Sequence, residues 1–269
     1  MKTIVITGST RGIGRGLAQE FLKRGHNVVV SGRGQASTTK TAGELSAQFG
    51  AENVLSQPCD VSDLAQVQAL WDAAVAGFGR VDIWINNAGI GSPRKNFYEL
   101  DMRDVNALVN TNLLGLFHGC RVAMAGMLKQ GGGQIYNMEG YGSNGMVTQG
   151  LSVYGATKRA VTYLTKSFAK EAEGTPVQVC WLNPGVVITD LLVDDYAGDP
   201  QGWESAKKAF NILGDKVEDV TPALTEKILR NTKNGARVAW LSNAQIGLRF
   251  ATARFKKRDV LGDVKPKGV

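Results

Sequence analysis

The chain is poor in the residues that many reaction classes require. Its 269 residues include only three cysteines and two histidines. Cys59, Cys120 and Cys180 are odd in number, far apart and free of any C-x-x-C pairing. A disulfide framework is therefore not expected, and a reduced, cytoplasmic setting fits best. His26 and His118 lie in no base-and-nucleophile setting, and no H-E-x-x-H or Cys/His ligand spacing occurs, so no metal is expected. No apolar run reaches the ~18 residues of a spanning helix. Met1–Thr7 passes directly into a strand-like run, which reads as lacking a signal peptide. Zinc spacings and aromatic-interleaved basic stripes are also missing, which argues against a nucleic-acid partner.

What is present is ordinary globular material, 43% hydrophobic and 20% charged, enough for one large core. The net charge of +7 is unevenly placed. Residues 237–269 carry eight Lys/Arg against two Asp/Glu, so the body is nearly neutral and the tail is basic. Such a tail suits an anionic surface or membrane headgroups, and equally a solvated C-terminus.

Apolar, β-rich runs alternate with segments of helical spacing. Strands are expected near Thr3–Thr7, Asn27–Ser31, Asn53–Gln57, Ile83–Asn86, Gln134–Asn137, Val177–Leu182 and Arg237–Leu241. Helices are expected at Gly14–Arg24, Leu64–Phe78, Val105–Lys129 and Tyr154–Glu173. Continuous apolar strands between helices predict an α/β fold with a parallel sheet covered on both faces. Leu191–Gly214, with its Asp194-Asp195 and Gly198-Asp199-Pro200 turns, reads as an excursion above the sheet, either a lid or a surface loop with a helix.

Gly8, Gly12 and Gly14 fall where the first strand turns into the first helix. A turn there lets backbone N–H groups approach a pyrophosphate, and the helix N-terminus adds partial positive charge. The spacing G-x-x-x-G-x-G is a variant of the dinucleotide fingerprint, and its weight comes from the strand–turn–helix context. After the second strand, Gly32 stands where an acid would bind the ribose hydroxyl of NAD, and Arg33 offers a fork to a 2′-phosphate. Arg11 can reach the same phosphate. NADPH is therefore favoured, although a solvent-exposed Arg33 is also consistent with the sequence. Asp60 either accepts from the adenine amino group or caps the next helix, as Ser62 also could. Asn86-Asn87-Ala88-Gly89 ends the fourth strand at the sheet edge where ligands of such folds bind.

Tyr154 and Lys158 are four residues apart on one helix face. A phenol is a poor acid or base near neutral pH unless a cation stabilises its phenolate, and Lys158 supplies one. On residues alone the pair reads equally well as ordinary helix amphipathicity.

The series T-G-x-x-x-G-I-G, N-N-A-G, Y-x-x-x-K and Asn183-Pro184-Gly185 with Thr189 resembles the short-chain dehydrogenase/reductase superfamily, from Lys2 to about Leu241. The resemblance implies a Rossmann-type, doubly wound sheet of about seven strands. A single domain over 1–242 would carry a substrate loop at 186–215, with a basic extension at 243–269. It implies hydride transfer from a nicotinamide, with Tyr154 as general acid, Lys158 as its partner and Asn112 anchoring a water. Thr189 would touch the nicotinamide end, and Ser9, Ile13, Val61, Asn87, Ala88, Gly89, Pro184, Gly185 and Val187 would complete the cofactor set. A homodimer or homotetramer is implied as well.

One departure is visible. Tyr141 occupies the family's usual catalytic serine position, within Asn137-Met138-Glu139-Gly140-Tyr141-Gly142-Ser143. This run resembles the chlorophyll b reductase branch, as do the blocks around Tyr154 and Pro184. That branch implies reduction of a formyl group on an apolar chlorin. The alternatives are a short-chain reductase or dehydrogenase acting on another apolar ketone, aldehyde or alcohol, and a non-catalytic NADP(H)-sensing protein. The Tyr154, Lys158 and Asn112 set argues against the last of these. Ser143 is the candidate polarising hydroxyl if the loop bulges, with Glu139 a possible second polar contact. In the tail, Ile246, Leu248, Phe250 and Phe255 beside Arg254, Lys256, Lys257 and Arg258 suggest peripheral membrane contact, or packing against the body or a sister subunit.

Overall fold

The computed structural model describes residues 1–268, so the last residue of the extension lies outside the described residues. Nine strands are described: β1 Thr3–Ile6, β2 Asn27–Val30, β3 Val54–Ser56, β4 Ile83–Asn86, β5 Gly133–Met138, β6 Val177–Asn183, β7 Val186–Val187, β8 Gly214–Asp215 and β9 Arg237–Ala239. The α-helices are α1 Gly12–Lys23, α2 Gln35–Phe49, α3 Leu64–Phe78, α4 Met102–Leu108, α5 Gly115–Gln130, α6 Ser152–Glu171, α7 Asp190–Asp194, α8 Pro200–Leu213, α9 Val217–Arg230 and α10 Asn243–Thr252. Seven strands form one parallel sheet in the order β3-β2-β1-β4-β5-β6-β9, and β7 pairs with β8 apart from it. The chain is thus a single α/β domain, as the alternation of strands and helices implied. The order reverses between β1 and β4, which opens a crevice at their C-terminal ends.

The apolar strand runs have a direct cause. Ile4, Val5 and Ile6 are all fully buried, yet they enter two different clusters. Ile4 and Ile6 pack with Leu17, Phe21, Val220 and Leu224 of α1 and α9. Val5 packs in the cluster of Val67, Trp71, Ala123 and Val161 from α3, α5 and α6. A strand with helices on both faces cannot alternate apolar with polar residues.

Local signals set several element ends. Asp63 caps α3 by accepting from Ala65 N at 2.9 Å, so neither Asp60 nor Ser62 is that cap. Asp199 and Pro200 start α8, and Ser242 with Gln245 forms a capping box on α10. The expected helix over 105–129 is instead α4 and α5 joined by a π turn, Val109–Leu114. Such a turn widens the helix by one residue, a change that apolar periodicity does not announce. The excursion over 191–214 contains the rest of α7 and then α8, with a small core of its own around Val193, Tyr196 and Trp203.

Candidate active site and cofactor cleft

The first turn is built to let backbone stand against backbone. Gly8 has φ +66°, and a Cβ there would lie 2.9 Å from Ala88 Cα. At Gly14 a Cβ would lie 2.5 Å from Gly8 O. The Asn-Asn-Ala-Gly run braces this turn. Asn87 Nδ2 donates to Thr7 O at 2.8 Å and Gly8 O at 3.0 Å, and the Asn87 and Ala88 N–H groups donate to Thr7 Oγ1. Ser9 is buried and its hydroxyl donates to Ile6 O at 2.8 Å, so it ties β1 to β2 instead of facing ligand space.

A cleft of about 350 Å³ opens over the turn. Of the expected cofactor residues, Gly8, Arg11, Gly12, Ile13, Gly14, Arg33, Val61, Asn87, Ala88, Gly89 and Thr189 line it. Asp60 does not; its carboxylate accepts from Ser62 N and Oγ in a local turn. Pro184, Gly185 and Val187 also lie outside the lining, Val187 being buried in the core. Thr10, Ser37, Cys59 and Thr111 line it without having been singled out, since a lone residue at a strand end or helix start carries no motif.

These residues fit a phosphorylated dinucleotide. The first turns of α1 and α2 have no side-chain cap, which leaves their N–H groups for an anion. Arg33 is exposed beside the α2 N-terminus and makes no ion pair among the described residues. A Cβ on Gly32 would lie 2.8 Å from Thr10 Cγ2, so the position is crowded against the acid that would bind a ribose hydroxyl.

Tyr154 and Lys158 rise from the first turns of α6 toward β5. Lys158 is buried, its Nζ donates to Met138 O at 3.3 Å and stands 5.8 Å from the Tyr154 ring centroid. Burial lowers its pKa to about 8, against the opposing pull of Glu139. Burial raises the Tyr154 phenol above its ordinary value, and the Asp195 carboxyl adds to the rise. Near neutral pH the phenol therefore keeps its proton. Asn112 rides on the π turn and grips the loop after β4, accepting from Ile90 N at 2.9 Å and donating to Ile90 O at 3.0 Å. A Cβ on Gly89 would lie 3.3 Å from Asn112 Oδ1 and 3.8 Å from Lys158 Nζ, so the three elements converge.

The loop after β5 holds its polar residues against backbone and neighbouring side chains. Ser143 is buried, accepts from Gly140 N at 3.0 Å and donates to Lys158 O at 3.1 Å. Its hydroxyl is engaged with backbone, which is not the placement expected of a carbonyl-polarising group. Glu139 is held by Arg237 at 2.8 Å and Asn183 at 2.8 Å. Tyr141 is exposed and bonds to the Thr148 hydroxyl. One residue that motif reading missed is Asp195, at the end of α7. It lies against Gly91 and Ser92, and burial raises its pKa to about 7 while Arg94 opposes the rise.

Residues 2–199 match the short chain dehydrogenase family. The chain belongs to that family. As a short-chain dehydrogenase it is an oxidoreductase with a nicotinamide-cofactor fold. It is 38% identical to chlorophyll(ide) b reductase NOL, chloroplastic, of Arabidopsis thaliana, over 94% of this chain and 73% of that one. It is 33% identical to the NADPH-dependent pterin aldehyde reductase of the same plant, over 83% of this chain and 93% of the relative. The chain spans between 52% and 73% of the length of the chlorophyll(ide) b reductases it matches. Among solved structures, serine dehydrogenase with NADP+ superposes with a TM-score of 0.72 at 27% identity, covering 84% of this short-chain dehydrogenase and 87% of the other chain.

Proposed function

We propose that this short-chain dehydrogenase reduces a carbonyl with NADPH, and that the carbonyl is the formyl group of chlorophyll b, converted to a hydroxymethyl group. The observation that carries carbonyl reduction is the placement of buried Lys158, its Nζ 5.8 Å from the Tyr154 ring, beside Gly89 of a cleft fitted to a dinucleotide. Bound NADPH supplies the hydride to the carbonyl carbon. Tyr154 gives its phenolic proton to the carbonyl oxygen, and the Lys158 ammonium stabilises the phenolate left behind. Gly8, Gly12 and Gly14 with the α1 N-terminus would hold the pyrophosphate, and Arg33 with the α2 N-terminus the 2′-phosphate. The chlorin substrate is supported by the 38% identity to a named chlorophyll(ide) b reductase over nearly the whole chain. Fold alone does not choose a substrate.

The test is NADPH oxidation by the purified chain with chlorophyll b, beside pterin aldehydes and simple ketones. Chlorophyll b should be consumed fastest and gain two hydrogens by mass. A faster pterin aldehyde or ketone would replace the substrate while leaving the oxidoreductase reading intact. Assembly as a homodimer or homotetramer is part of the proposal, supported by Val109, Leu114, Phe117 and Tyr163 exposed around α4, α5 and α6. Peripheral contact with an anionic membrane is also proposed. It is supported by Leu248, Phe250 and Phe255, which stand exposed on the basic tail.

A further inference from the structure

The C-terminal extension is not a free tail. Its anchor is Asp215, which closes the excursion of residues 186–215 and is buried at 3% exposure. Four donors converge on that carboxylate. Trp240 Nε1 donates to Oδ2 at 2.7 Å, Arg249 donates to Oδ2 at 2.7 Å and Oδ1 at 3.0 Å, and Arg258 donates to Oδ1 at 2.6 Å. A buried carboxylate without counterions is strongly disfavoured, so the extension's two arginines are an integral part of the fold here.

The extension also finishes α8. Arg258 donates to Ile212 O at 2.8 Å and Gly214 O at 2.9 Å, and Arg249 to Leu213 O at 3.1 Å, where a helix end leaves carbonyls unpaired. Asn211 Oδ1 accepts from Val260 N at 3.0 Å. Leu261, only 4% exposed, enters the small apolar core of Val193, Tyr196 and Trp203. Farther on, Gly198 N donates to Lys267 O at 3.1 Å.

The other side of this excursion reaches both halves of the active site. Thr189, Asp190 and Leu191 line the cofactor cleft, and the Asp195 carboxyl lies against Gly91 while acting on the Tyr154 phenol. A second cleft, of about 480 Å³, shares Arg11, Thr189 and Asp190 with the first and is walled by Val264, Lys265 and Lys267 of the extension. The family match ends at residue 199, well before any of these extension residues.

We propose that residues 249–267 form a strap that fixes the excursion over the active site and thereby sets the affinity for the carbonyl substrate. Arg249, Arg258 and Leu261 are positioning residues, acting through Asp190, Leu191 and Asp195. The idea rests on Tyr154 being the proton donor, but its main measurement needs no substrate.

The test compares the full chain with Arg249→Ala/Arg258→Ala and with Arg258→Lys by amide hydrogen exchange. Chlorophyll b kinetics at saturating NADPH form a second arm. In the double variant, amides of 190–213 should exchange faster while those of β1, β4 and β5 keep their protection. The KM for chlorophyll b should rise by on the order of ten-fold with a much smaller change in kcat, and Arg258→Lys should recover part of it. Unchanged exchange over 190–213 overturns the strap, and so does exchange that rises equally across the sheet, which marks general destabilisation. If chlorophyll b is not turned over at all, the proposed substrate fails and exchange alone decides the strap.

Discussion

Gly140 stands against the phenol of Tyr154 so closely that a Cβ on it would lie 2.7 Å from the phenolic oxygen. The polar loop of the sequence thus contributes bare backbone at Tyr154, the proposed proton donor, and its serine is turned inward. Gly140→Ala should push the phenol aside and cost on the order of 10²-fold in kcat, the scale of an ångström-sized misplacement. Tyr154→Phe should cost roughly 10²–10⁴-fold, the usual worth of a general acid. Both variants should keep NADPH binding, read by nicotinamide fluorescence. A Tyr154→Phe enzyme with normal turnover would show that the proton comes from elsewhere.

Ser143 yields an outcome that separates structure from chemistry. Its hydroxyl bonds at both ends inside a buried loop, to Gly140 N and Lys158 O. Ser143→Ala should therefore cost about 1–3 kcal/mol of stability, seen as a lower urea midpoint. Its kcat should change only a few-fold, whereas losing an oxyanion donor costs roughly 10²–10³-fold. A large kcat loss at unchanged stability would restore the polarising role.

The proposed preference for NADPH should turn on Arg33. It is exposed, free of ion pairs among the described residues, and set at the uncapped start of α2. Arg33→Ala should lose a charge-assisted bond worth about 1.5–3 kcal/mol, or roughly 10–150-fold in NADPH affinity, with NADH little changed. Titration of both cofactors checks this, and equal weakening would place the 2′-phosphate away from Arg33.

The glycine turn, the Tyr154–Lys158 pair and the parallel sheet were legible because each depends on short spacing or on strand burial. The Gly8 and Gly14 approaches and the two-faced burial of Ile4, Val5 and Ile6 are the physical sources of those patterns. The inward turn of Ser143 was not legible, since it depends on where Gly140 and the α6 backbone come to rest. Nor was the docking of the tail. Arg249 and Arg258 find their counterion 34 and 43 residues away, and a basic cluster reads the same whether it faces solvent or a buried carboxylate. The π turn at Asn112 was hidden because its apolar residues keep a helical spacing through it.

The pH profile should carry two groups. Burial raises the Asp195 pKa to about 7, with Arg94 lowering and Asp194 raising it, so it gains negative charge as pH rises through that value. Burial lowers the Lys158 pKa to about 8, so its positive charge is lost as pH rises farther. Both changes disfavour a developing phenolate at Tyr154. The kcat/KM for carbonyl reduction should therefore fall from about pH 6 to 9, and Asp195→Asn should move the falling limb toward Lys158 alone. Identical profiles for the two proteins would remove Asp195 from the titration.

The tail has a second face, opposite in character to the one that grips Asp215. Leu248, Phe250 and Phe255 are 62%, 53% and 87% exposed, and Arg254, Lys256 and Lys257 are exposed beside them. Arg258, part of the same basic cluster in sequence, is half-buried with its guanidinium paired to Asp215. Among the described residues no helix is long and apolar enough to cross a membrane, so any bilayer contact made by the described helices would be peripheral. Apolar side chains next to cations suit the boundary of an anionic bilayer, each basic residue near the surface adding about 1 kcal/mol. The full chain should co-sediment with phosphatidylglycerol vesicles at low salt and be released as salt rises. Leu248→Ser/Phe255→Ser should weaken the binding without loosening the Asp215 anchor, because neither residue touches it. If wild type and variant both remain in the supernatant, or pellet alike, this face is not a membrane surface. If the variant instead lowers the mass measured by light scattering without vesicles, the face belongs to a second copy of the chain.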